Sequence, residues 1–169
     1  TWTCLSLDVI LFYFFWEVML LPVFLLIGQY GFWDKVFTTI KVTVYTMLGS
    51  LLMFVAILYL GVAYHNDFGV WSFAYDTLMQ ITTIHYDVKV WLFLAFLAAF
   101  AIKIPIFPLH TWIMDTYKNA PTGAVFLLSS IMAKLGIYAI VRFMIPIFPE
   151  IYVEFSMWFV AIGLFGLVY

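Results

Sequence analysis

Charge is what this sequence has least of. Only 9% of its 169 residues are Asp, Glu, Lys or Arg, against 67% that are hydrophobic, and the mean hydropathy is +1.12. Soluble domains carry about 25% charged residues, so this chain lacks the polar surface to coat a globule in water. The same figures exclude disorder, collagen, coiled coil and a disulfide scaffold. The single cysteine, Cys4, cannot form an intrachain bridge and cannot build a zinc or iron–sulfur centre alone; no metal site is expected. The net charge of −2 is scattered and offers no nucleic-acid surface. No basic segment precedes an apolar stretch at Thr1-Trp2-Thr3, so no signal peptide is visible. An integral membrane protein remains.

What is present is apolar length. From Val9 to Trp33 the only charged residue is Glu17, and from Val42 to Tyr64 there is none. From Val90 to Met114 it is Lys103, and from Asn119 to Val141 it is Lys134. A final run begins at Phe155 and reaches fifteen residues by Tyr169, short of the roughly 20 that cross about 30 Å of hydrocarbon. Barrel strands are short and alternate, whereas these runs are continuous, so helices are the spanning form. The expected fold is an all-α, polytopic transmembrane helix bundle in a single domain. Its spans are 9–33, 42–64, 90–114 and 120–144, with a truncated fifth at 155–169, as in a fragment of a longer chain.

The segments between runs set the topology. Asp34–Lys41 and Asp115–Lys118 share one end and carry three lysines. The other end holds Lys89 and Arg142 among Asp8, Asp67, Asp76, Asp87, Glu150 and Glu154. The positive-inside rule makes the first end cytoplasmic. In the long connection 66–89, Trp71, Tyr75 and Leu78 recur beside Asp76 and Gln80 at helical spacing, which suits a short interfacial amphipathic helix or simple loop packing.

The third run contains its own interruption. Pro105 and Pro108 each lack a backbone donor and clash with the preceding turn, and the residues before them are driven toward extended geometry. A proline kink for packing is one reading. Unwound backbone inside protein or beside a wet cavity is the other, with Lys103 just before the break and His110 just after it.

Three spans thus hold one charge each, at about 2.5–3.5 kcal/mol apiece on insertion scales. Such residues face a bundle interior and mark proton or ion routes, or pair only to hold helices together. Glu17 lies five residues before Pro22, which leaves the Val18 carbonyl without its helical donor, and Tyr13 stands one turn away to hydrogen-bond the carboxylate. Lys134 has Ser130 and Tyr138 four residues to either side, and a small-residue stripe of Ser129, Ala133 and Gly136 allows close helix approach, so it is expected to point into a packed bundle. Burial favours a neutral lysine and a nearby carboxylate favours the ammonium, which makes a proton store without redox groups. His110 titrates near neutrality by default and suits either a relay or packing. His65 and His85 fall in the loop region and receive no role.

These residues sit in recognisable motifs. Lys103-Ile-Pro-Ile-Phe-Pro-Leu-His-Thr-Trp112, Asp115, Asn119-Ala-Pro-Thr-Gly123, Lys134-Leu-Gly-Ile-Tyr138 and Arg142-Phe143 resemble the antiporter-like, proton-pumping subunits of respiratory complex I, most of all their M-type branch (chain 4 in mitochondria). Phe14-Phe-Trp-Glu-Val-Met-Leu-Leu-Pro22 and Leu25-Leu-Ile-Gly28 resemble that branch's glutamate helix. The likeness spans the whole chain but only about the middle third of such a subunit. Two departures stand out: Ile113-Met114-Asp115 replaces Leu-Pro-Asp, and Tyr117 stands where many members have histidine.

The resemblance implies that Glu17 and Lys103 form a switching carboxylate–lysine pair, with His110 and Lys134 continuing a chain of proton-carrying groups and Pro105 and Pro108 breaking the helix. It implies no cofactor in this chain, within a host complex that carries FMN, iron–sulfur clusters and quinone. The implied partners are neighbouring antiporter-like membrane subunits and the lipid bilayer, in a bacterial plasma membrane or mitochondrial inner membrane. Catalysis in the host complex is NADH:quinone oxidoreduction, with no redox chemistry here. Rivals are a subunit of an Mrp-type Na+/H+ antiporter, one of a membrane-bound hydrogenase, and a structural scaffold.

Overall fold

A computed structural model describes residues 2–168; Thr1 and Tyr169, at the chain ends, lie outside the described residues. The chain is a helical membrane bundle. Its helices are α1 (Trp2–Leu5), α2 (Val9–Val18), α3 (Leu20–Tyr30), α4 (Lys35–Phe68), α5 (Tyr75–Leu78), α6 (Tyr86–Lys103), α7 (Thr111–Asn119), α8 (Thr122–Leu127), α9 (Ala133–Ala139), α10 (Ile145–Ile147) and α11 (Pro149–Val168). Two π-helical stretches, Leu128–Met132 and Ile140–Met144, join α8, α9 and α10 into one rod. Among the described residues, four stretches are long and apolar enough to cross a membrane: Val9–Tyr30, Lys35–Phe68, Thr122–Ile147 and Pro149–Val168.

Local sequence explains the boundaries. Asp8 caps α2, its carboxylate accepting from the amides of Ile10 and Leu11 at 2.9 and 3.0 Å, donors that would otherwise be orphaned at a helix start. Val9, Phe12 and Trp16 then fall on one buried stripe. Glycine closes α4 at the other end, because Gly69 adopts φ 73°, a left-handed conformation that costs other residues a Cβ clash. The α4 helix is the central element and packs along α6, α3, α7 and α2. Gly49 permits the α4–α6 contact, since a Cβ there would lie 2.8 Å from Ile102 Cδ1 and 3.2 Å from Ala99 Cα.

Two apolar clusters result. One joins α2, α4, α6 and the rear of the α8–α10 rod around Phe12, Trp16, Phe93, Phe96, Phe100 and Phe143. The other joins α3, α7 and the front of that rod around Val23, Ile27, Trp112, Ala124 and Leu128. Lys103 lies where they meet, at the end of α6.

Three of the differences from the expected segment boundaries have a plain physical cause. The second helix runs 35–68 rather than 42–64, because helical backbone continues through the polar ends once its termini leave the apolar layer. The last helix starts at Pro149, six residues ahead of Phe155, since proline at a first helical turn sacrifices no bond. The expected amphipathic helix shrinks to the single turn of α5: Tyr75 and Leu78 are buried, while Trp71 lies outside it, stacked on His65 at 4.4 Å. Backbone pairing holds this connection instead, the Val9 amide donating to Phe73 O at 3.0 Å and the Tyr75 amide to Leu7 O at 2.8 Å.

The ends assort as the charges suggested. Lys41 pairs with Asp115, and the Asn119 amide donates to Thr38 Oγ1 at 2.8 Å, tying the 34–41 and 115–118 segments together. At the far end Lys89 meets Glu150 at 3.8 Å, Tyr86 donates to Glu154, and Thr83 donates to Asp67.

Candidate functional site

The interruption after Lys103 decides the site. Helix α6 ends there and α7 begins at Thr111, leaving 104–110 outside regular helix. Pro105 cannot donate to the Ala101 carbonyl, and the Ile106 amide takes over at 2.9 Å. The Ile102 carbonyl, also left without a helical donor, accepts from the indole of Trp112 at 3.0 Å. Trp112 is 2% exposed. A buried indole N–H needs an acceptor and a broken helix supplies spare ones, so this tryptophan closes the break from α7.

Lys103 is 2% exposed. Its Nζ lies 4.4 Å from the centroid of the Trp16 ring and donates to the Trp16 carbonyl at 3.4 Å, a long bond by ordinary standards. Phe100 meets the same indole edge to face at 5.6 Å. Glu17, the next residue along α2, is within electrostatic reach of Lys103 but not in ion-pair contact with it. Its Oε1 is buried and has no hydrogen-bond partner among the described residues.

Glu17 looks into a groove of about 360 Å³ lined by Tyr13, Leu20, Phe24, Thr43 and Met47. Tyr13 does not cap the carboxylate as expected. Its ring stacks on Phe54 of α4 at 4.7 Å.

His110 lies across the break from Lys103. It lines a separate cavity of about 450 Å³ between the 104–107 backbone and α11, with Phe107, Phe159 and Gly163.

Lys134 departs from the sequence reading. It is exposed on this chain's surface, because Met132, Leu135, Gly136 and Ala139 take the inward positions of the rod. Gly136 of the small-residue stripe makes a close approach, a Cβ there falling 2.4 Å from Ile104 Cγ1; Ser129 is exposed. Ser130 donates to its own helix at Phe126 O, and Tyr138 donates to Cys4 O at 2.7 Å. Thus α2 and α6 bring Glu17, Trp16 and Lys103 together, while His110 and Lys134 stand apart.

The sequence reading missed Trp16 and Trp112. Each adjoins a break or a buried charge, and that adjacency was the available signal.

Residues 6–169 match the family described as NADH:quinone oxidoreductase/Mrp antiporter, TM. NADH-quinone oxidoreductase subunit M of Escherichia coli (strain K12) is 38% identical over 169 residues, covering 95% of this chain and 33% of that protein. Subunit M of Pseudomonas aeruginosa is 37% identical over 170 residues, again covering 95% and 33%. Among solved structures, a chain of respiratory complex I from Thermus thermophilus with bound NADH superposes with a TM-score of 0.76 at 31% identity, covering 89% of this chain and 31% of that one. The chain therefore spans about a third of the length of the curated relatives it matches. With four spans long enough to cross a bilayer, a proline-broken helix and a lysine buried at the break, this integral, multi-pass chain belongs to the NADH:quinone oxidoreductase/Mrp antiporter transmembrane family.

Proposed function

We propose that this chain is part of a proton-translocating, non-redox membrane subunit of an NADH:quinone oxidoreductase, the activity printed in the names of its relatives. The observation that carries the reading is a lysine almost without exposure at the end of an interrupted helix, beside a glutamate whose buried oxygen lacks a partner among the described residues. A lysine so placed is costly. Here the direct polar contact it makes is one long bond to a carbonyl, too little to explain it as a structural pin.

In the proposed cycle Glu17 approaches Lys103 and the pair holds a proton on the amine. When Glu17 withdraws, the apolar surroundings favour its release toward His110 and then Lys134, with water bridging the gaps. The open face around Lys134 is where we place contact with the additional polypeptide that relatives about three times as long possess. The end bearing Lys35, Lys41 and Lys118 is cytoplasmic in this reading. The energy comes from neighbouring membrane subunits, and FMN, iron–sulfur clusters and quinone belong to the rest of the complex.

The test replaces Glu17→Gln and Lys103→Met in the full-length subunit and measures complex assembly, electron transfer and proton translocation in vesicles. Assembled complex with fewer protons moved per NADH oxidised is expected. Loss of assembly would support the scaffold reading, and normal assembly with normal pumping would overturn ours. The family description also names Mrp antiporters; proton flux that depends on sodium would select that second reading.

A further inference from the structure

The end of α7 fastens three elements together, and the proposed cycle gives this joint no part. The buried residues of α7 are Trp112, Thr116 and Asn119, one stripe at helical spacing. Trp112, at one end, holds the broken helix through the Ile102 carbonyl. Asn119, at the other, lies seven residues on, about 10 Å along the axis. Beyond it Ala120 is extended and Pro121 has no amide to give, so the helix stops and its last carbonyls need other donors. The Asn119 carbonyl finds one in the Phe32 amide at 2.7 Å, in the turn that follows α3. Gly31 permits that approach, because a Cβ there would lie 3.2 Å from Asn119 O and 2.8 Å from Lys35 Cβ.

The Asn119 side chain makes the second fastening. Its amide donates to Thr38 Oγ1 at 2.8 Å, in the first turn of α4, and Thr38 is fully buried. Asn119 itself is 6% exposed, and its Oδ1 has no hydrogen-bond partner among the described residues. A buried amide with an acceptor unmet costs more than a leucine of similar size. What a buried polar pair offers in exchange is a single register, since apolar contacts slide and a hydrogen bond does not.

Register matters here because of what the joined elements carry. The Phe32 turn follows the Val9–Tyr30 span, which bears Glu17 about 20 Å along the helix from Tyr30. The other partner, α7, bears the indole that closes the break beside Lys103.

We propose that Asn119 is a positioning residue, setting the register of the Glu17 span against the second half of the interrupted span and so the spacing of Glu17 and Lys103. The inference rests on the proposed function and adds the joint that holds its two charged groups at working distance.

The experiment uses the full-length subunit in its assembled complex. Thr38→Val keeps the shape and removes the acceptor, Thr38→Ser restores it, and Asn119→Leu removes the amide; none of them alters Glu17 or Lys103. Hydrogen exchange around 30–38 and 102–110 should quicken about fivefold when a bond of this kind is lost, and return to the wild-type rate in Thr38→Ser. Protons moved per NADH oxidised should fall in Thr38→Val, and in Asn119→Leu toward the value of Lys103→Met, while electron transfer continues. Thr38→Ser should recover the wild-type ratio.

Faster exchange with an unchanged proton ratio overturns the joint, as does a lower melting temperature or yield with that ratio intact. A deficit that Thr38→Ser fails to rescue overturns it too. Should Asn119→Leu not assemble, the two Thr38 variants decide. In each case the carboxylate–lysine cycle stands as long as Glu17→Gln pumps poorly; normal pumping by Glu17→Gln overturns the proposed function instead.

Discussion

Replacing Lys103 by methionine separates a functional from a structural lysine, because the two roles predict opposite signs of stability change. The stabilising contacts of the wild-type amine are few. Its bond to Trp16 O at 3.4 Å exceeds the usual 2.7–3.2 Å range and is worth well under about 1 kcal/mol. The Trp16 ring at 4.4 Å adds up to about 2 kcal/mol for a desolvated cation. Against these stands a penalty of about 2.5–3.5 kcal/mol for lysine at the centre of a span. Methionine has nearly the same length and no charge, so Lys103→Met should be neutral or stabilising by about 1–2 kcal/mol. Lys103→Ala leaves a cavity and should fall below the methionine variant by about 2–5 kcal/mol. Thermal unfolding of the purified complex, followed on this subunit, ranks the three proteins. The expected order is Met at or above wild type and Ala lowest, with proton translocation lost in both. A methionine variant as unstable as the alanine one would refute the reasoning and make the amine a structural pin.

Other outcomes concern the packing. Trp112→Phe leaves the buried Ile102 carbonyl without its donor and should destabilise by about 1–3 kcal/mol, with faster hydrogen exchange around 102–110. Gly136→Val drives a side chain into Ile104 and the Phe100 carbonyl; overpacking should cost about 1–3 kcal/mol or more, read as a lower melting temperature and poorer assembly. Asp115→Asn breaks a half-exposed ion pair with Lys41 and should change stability by no more than about 1 kcal/mol, an effect that fades as salt is raised.

The parts of this structure that were legible in the sequence are those ruled by hydrogen-bond arithmetic. Two prolines three residues apart remove two donors, and the helix stops at Lys103, its freed carbonyls taken by the Ile106 amide and the Trp112 indole instead of the next helical turn. Likewise the apolar runs must be helices where water is absent. Side-chain direction was not legible to the same degree. Lys134 falls on an outer face because Met132, Leu135, Gly136 and Ala139 take the inward positions around it, and a run apolar on every side does not encode which face turns inward. Tyr13 could be placed near Glu17 by spacing, yet its partner was chosen by Phe54, a residue 41 positions away. Long-range packing of that kind depends on which helices meet, and composition says little about that.

One consequence of the central helix concerns movement. At 34 residues, α4 is about 50 Å long, well beyond the roughly 30 Å of oil, and it contacts both halves of the interrupted span. It acts as a splint. The two pieces on either side of the fracture pack against one long rod, at Gly49 and at the Lys41–Asp115 pair, which in the proposed cycle makes the lysine the fixed partner. In the proposed cycle any stroke then falls to the opposite member, Glu17, carried on the Val9–Tyr30 span.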